Sequence, residues 1–210
     1  MSTRAQIRAI LQTNLAESGL SSGQFQVYEL NDSIQDAYNE IVKSSYCIIK
    51  SATINFINNC TYYDFVSLGV TDYMGTIGIF NNNTNWWLRD DIQLRDYQRL
   101  RRDWEQWQGN SQFWAGHSYK YVALAPKLLT AYGSMLLWYW ASAPTLNEND
   151  TPLIATDMQK LIEWYCMADL LDGADEPTKA MDWWSQYTAE IPKYKDRCKN
   201  LAKSQILLRV

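Results

Sequence analysis

A chain of 210 residues with 47% hydrophobic content can bury one sizeable core and a small extension. Its 19 Lys and Arg against 23 Asp and Glu give a formal net charge of −4, which excludes the broad basic face that wraps nucleic acid. Ten Trp and fourteen Tyr against five Phe favour rings with a polar tip, suited to interfaces and equally to an aromatic core.

Ser2 is placed to cap a first helix, with Ile7, Ile10, Leu11 and Leu15 as its apolar stripe and Gly19 as its stop. Ser21-Ser-Gly makes a turn, and Ser22 offers the next cap. Val27, Leu30, Ile34, Ala37, Tyr38 and Ile41 recur at helical steps and predict a second helix to about Tyr46. Residues 1–46 therefore read as a helical hairpin.

The pattern then changes. Cys47 to Ile57 is β-branched and partly alternating, which suits a strand, and Thr61 to Leu68 is a second extended candidate. Thr76–Phe80 and Trp86–Arg89 flank Asn81-Asn-Asn-Thr-Asn, a hairpin loop because asparagine tolerates left-handed backbone. Arg89 to Trp107 returns to helical spacing, with Asp90 and Asp91 in the first turn, where the helix dipole favours negative charge. Phe113 to Leu124 predicts a hairpin turning at Gly116-His-Ser. The apolar run Leu128 to Ala143 fits a buried strand or a core helix by period alone; a strand is favoured because a hairpin precedes it and Ala-Pro ends it.

Pro144 to Ile154 contains two prolines and an Asp-Thr-Pro turn, so it reads as a shaped crossover. Met158, Leu161, Ile162 and Tyr165 mark the following helix, which Gly173 ends. Pro177 opens another, and Pro192 is expected to kink or break it. The apolar end, Ser204 to Val210, is expected to dock on its own body or on another protein. The expected fold is α+β, a single domain over 1–210: a helical bundle with an inserted small antiparallel β-sheet or hairpins and an extended C-terminal tail. Strands fill 47–143 with a helix near 90–107, the crossover is 144–154, the C-terminal helices are 155–200 and the tail is 201–210.

Catalytic patterns are missing from the sequence. Cys47, Cys60, Cys166 and Cys198 form neither a Cys-x-x-Cys motif nor a disulfide framework, and the start of the chain carries no apolar signal core, so a reducing cytosol and no membrane are expected. The single histidine, His117, sits at a predicted turn. No phosphate loop, dinucleotide loop, zinc-protease motif or nucleophile elbow occurs. The carboxylates Asp90/Asp91 and Asp172, Asp175, Glu176 read as helix-end groups; no catalytic, metal or cofactor residue is expected. Arg95, Arg99, Arg101 and Arg102 form a candidate charged face toward DNA, interleaved with Asp96, Asp103 and Glu105. Candidate interface residues are Trp86, Trp87, Trp183, Trp184 and the terminal Ile206, Leu207, Leu208 and Val210.

A family likeness spans Tyr119 to Asp169. Tyr119-Lys-Tyr-Val-Ala-Leu-Ala-Pro is followed by an apolar strand ending Tyr139-Trp-Ala-Ser-Ala-Pro, then Leu146, Asp150-Thr-Pro-Leu-Ile, and a helix with Leu161 and Ala168. This succession resembles the head–tail adaptor (connector) proteins of tailed bacteriophages. Asp90 to Trp107 followed by Gly109 sits where that family has an Asp-rich helix and a Trp-Gly-like turn. The resemblance implies a structural virion protein, assembled in the host cytoplasm. It implies a homo-oligomeric ring, commonly a dodecamer, docked on the portal protein with a tail or nozzle protein below. A DNA channel would pass through the ring with only transient, non-specific contact. Two other readings remain: a surface- or carbohydrate-binding virion module, because exposed Trp and Tyr stack on sugars, and a small hydrolase built on Asp172 or Asp175.

Overall fold

The computed structural model of the chain describes residues 2–20, 24–90, 94–100, 103–116, 121–128 and 133–207. It divides into a helical unit, Met1–Ile48 with Ser142–Ser204, and a β-rich unit, Ile49–Ala141 with Gln205–Val210.

In the helical unit, Thr3 rather than Ser2 caps α1 (Arg4–Glu17). The Gln6 amide donates to the Thr3 hydroxyl, and the Thr3 amide donates to the Gln6 side chain, so each satisfies an orphan donor of the first turn. Ser2 instead donates its amide to the Gln159 side chain at 3.0 Å. Helix α1 stops at Ser18 with Gly19 in the left-handed region beyond it. The expected cap Ser22 lies outside the described residues. Helix α2 (Val27–Ser45) is capped by Gln26 and Glu29 and ends on Tyr46 at φ 56°. Of its expected stripe, Leu30, Ile34, Ala37, Tyr38 and Ile41 are buried against α4 (Gln159–Gly173), while Val27 at the helix start is exposed. The crossover is pinned to α1 and α2. Arg8 meets Glu148 at 2.6 Å, the Leu146 amide donates to the Gln35 side chain, and the Leu153 amide donates to the Tyr38 hydroxyl. Burial, only partly offset by that amide, pushes the Tyr38 hydroxyl up to about 12.

In α5 (Pro177–Leu207) the helix is not broken at Pro192, and it carries on to Leu207 where an extended tail was expected from residue 201. Ala180, Tyr187, Tyr194, Cys198 and Ala202 are buried at steps of seven and four, while Pro192 is exposed on another face. Proline costs a helix interior roughly 3 kcal/mol. Burying each large side chain of the stripe contributes about 1.5–3 kcal/mol. The stripe wins.

The β-rich unit overturns the idea of a helical bundle with a small inserted sheet. It holds two antiparallel sheets. The first has the order β1 (Ile49–Asn55), β7 (Ser134–Ala141), β3 (Tyr73–Asn81), β4 (Trp86–Trp87). The second has the order β2 (Tyr62–Asp64), β6 (Tyr121–Ala125), β5 (Phe113–Gly116). Central β7 buries Met135, Leu137, Tyr139 and Ala141 on alternate positions, the period of a strand paired on both sides. Thr61 to Leu68 is extended only at β2, because the Asp64 carboxylate accepts the Val66 and Ser67 amides and turns the chain.

The helix expected over Arg89 to Trp107 forms only in part. Only α3 (Leu94–Leu100) and a 3-10 turn at Trp104–Gln106 form among the described residues. Arg89 is committed to a bridge with β5: its amide donates to the Gln112 carbonyl, and its carbonyl accepts from Trp114, both at 2.9 Å. Trp104 is drawn the other way, into a cluster with Ala123 and Ala125 flanked by Tyr62, Trp107 and Phe113.

Candidate functional site

The asparagine loop positions a concavity of the β-rich unit. Asn85 takes a left-handed φ of 57°, which lets β3 turn back into the short strand β4. Asn81 is 1% exposed. Its side-chain oxygen accepts the Asn83 amide at 3.0 Å, and its nitrogen donates to the Ser111 carbonyl at 3.4 Å. Ser111, itself buried, donates its hydroxyl to the Pro126 carbonyl at 2.8 Å. The loop, β4 and the 110–112 segment are thereby tied through buried polar groups that are each satisfied.

Between β4 and 110–112, before their junction at Arg89, lies a cleft of about 340 Å³. Trp86, Trp87 and Leu88 form one wall, and Asn110 and Gln112 the other, with Thr84 at the loop end. The two tryptophans differ. Trp87 is half-buried with its ring edge-on to Phe80, centroids 5.5 Å apart, and its indole N–H has no acceptor among the described residues. Trp86 is 75% exposed. The Arg89 guanidinium lies over the Phe113 ring at 5.5 Å.

The other expected residues scatter. Trp183 and Trp184 are half-buried on α5, and Trp184 joins Tyr165 and Tyr187 in three mutual edge-to-face contacts of 5.1–5.9 Å inside the helical unit. The side chains of Ile206 and Leu207, and Leu208 and Val210 entirely, lie outside the described residues, as do Arg101, Arg102 and His117. Arg95 and Arg99 are exposed on α3. Asp172 and Asp175 are exposed at the end of α4, where Asp175 is left-handed and donates its amide to the Asp172 carbonyl, and Glu176 pairs with Lys179 at 3.4 Å. No group of three or more His, Cys, Asp or Glu able to hold a metal occurs among the described residues. No helix among them is long and apolar enough to cross a membrane.

One cluster has no sequence signal. Lys50 and Tyr139 are cross-strand partners, and both reach Asp72, at 2.6 and 3.0 Å. Only the register of β1 against β7 brings these residues together. No protein-family model matches the chain, and no curated protein matches it either.

Proposed function

We propose that this chain is a structural virion protein of the head–tail adaptor class, closing as a homo-oligomeric ring between portal and tail. The observation that carries the reading is the exposure of large apolar side chains on both units. Val27, Tyr28, Leu153 and Met181 are open on the helical unit, and Val66, Leu68 and Tyr121 on the β-rich unit. A ring of identical copies needs two different faces, each complementary to the other on the next copy. Exposed apolar groups on two separate units suit that demand better than one symmetric patch.

The residues of the family likeness cover β6, β7, the crossover and most of α4, so they span both units. The charge balance agrees with a channel role. Arg95, Arg99, Arg101 and Arg102 are interleaved with Asp96, Asp103 and Glu105, and a chain of net −4 neutralises few phosphates, so DNA passes without being held. The role is geometric and assigns no catalytic step.

Purified virions test it. The chain is expected in them at a fixed ratio to portal, and particles made without it are expected to be filled heads lacking tails. Virions that contain no copy of the chain, or that carry tails without it, would overturn the proposal.

A further inference from the structure

We propose a second role for the β-rich unit: the cleft between β4 and residues 110–112 binds a neutral saccharide. Trp86 makes the first part of the case. Its ring is 75% exposed on an edge strand, while its neighbour Trp87 supplies the packing on Phe80. Leaving an indole open forgoes about 1.5–3 kcal/mol of burial. An indole face beside a concave wall matches a pyranose, whose C–H faces are apolar and whose rim is hydroxyl.

The lining makes the second part. Thr84, Asn110 and Gln112 carry neutral hydroxyl and amide groups that both donate and accept, as sugar hydroxyls require. Among the described residues no carboxylate lines the cleft, and its cation, Arg89, lies over Phe113, so the chemistry does not favour a charged ligand. Mostly apolar walls with a few polar groups, enclosing about 340 Å³, are the build of a small-ligand site. The buried links through Asn81 and Ser111 hold both walls before any ligand arrives, which lowers the ordering cost of binding. A docking peptide strand fits less well, because the two residues of β4 offer too short an edge to extend.

The site lies within one unit and needs no second copy, so it stands or falls apart from the ring. The full chain is titrated with maltohexaose, cellohexaose and chitohexaose by calorimetry and by saturation-transfer NMR. At least one hexamer is expected to bind. Trp86→Ala is expected to weaken it by about tenfold or more, the equivalent of 1.4 kcal/mol. Trp86→Phe should retain part of the affinity, and Asn110→Ala with Gln112→Ala should weaken it independently. The Trp86→Ala chain should keep its unfolding midpoint, because that ring is exposed. No binding of any of the three at millimolar concentration, or binding unchanged in Trp86→Ala, overturns the inference. So does a Trp86→Ala chain that fails to assemble on portal when the native chain binds no glycan, which assigns the cleft to a protein contact.

Discussion

Lys50 and Tyr139 both donate to Asp72, and their effects can be given a sign. Burial alone would raise the Asp72 carboxyl; the Lys50 and Tyr139 hydrogen bonds and the Lys50 charge outweigh it, so it lies below its usual value. A carboxyl lowered by folding adds stability above the unfolded value, near 3.9, and that stability is lost as pH falls through the lower folded value. Lys50 is 41% exposed, so solvent screens much of the pair. Asp72→Asn should therefore lower stability by only about 0.5–1 kcal/mol at pH 7. The difference should be full at pH 7 and shrink progressively as pH falls below the unfolded value of about 3.9, as read by urea unfolding across that range. Gly133 is a second constraint that sequence alone does not show. It has φ +80°, and a Cβ there would lie 1.6 Å from the Asn83 side-chain oxygen. Gly133→Ala should cost about 1–2 kcal/mol in urea unfolding from the left-handed backbone alone. Adding Asn83→Gly should recover only the part due to the clash.

At the scale of elements, legibility follows how local the cause is. Helices α1, α2 and α4 were readable because their stripes repeat within a few residues, and the asparagine loop because its turn chemistry is its own. β7 was readable from its neighbours, although its period left two choices. The Arg89 to Trp107 helix was misread because its ends answer to distant partners: Arg89 to Gln112 and Trp114, and Trp104 to Ala123 and Ala125. The cleft was half legible. Trp86 and Trp87 stand out by composition, but nothing in Asn110-Ser-Gln announces that it faces them. The continuity of α5 was hidden for the opposite reason: a strong local signal, Pro192, is outweighed by a long buried stripe. Pro192 is exposed, so replacing it by alanine should lose no packing and restore a backbone donor. Pro192→Ala is expected to raise stability by about 1–3 kcal/mol, seen as a higher thermal midpoint. A lower midpoint would mean that the fold needs proline at 192.

At the scale of the molecule, most of the β-rich unit interrupts the helical one. The chain leaves the helical unit after Ile48 and returns at Ser142. Ile49 and Trp140, at the two ends of the interruption, are cross-strand partners about 4.5–5.5 Å apart at Cα, so entry and exit are close. Replacing 49–141 with a short Gly-Ser linker should leave a helical unit that melts cooperatively by circular dichroism. That unit retains the helical-side apolar groups but not the second face a ring needs, so it should not close on portal.

The native mass of the portal ring incubated with the full chain tests the central claim most directly. The account predicts one saturating species carrying a fixed whole number of chains that matches the portal symmetry. Portal and chain that stay separate at every ratio, or a chain that attaches in a variable number with no saturation, would contradict it.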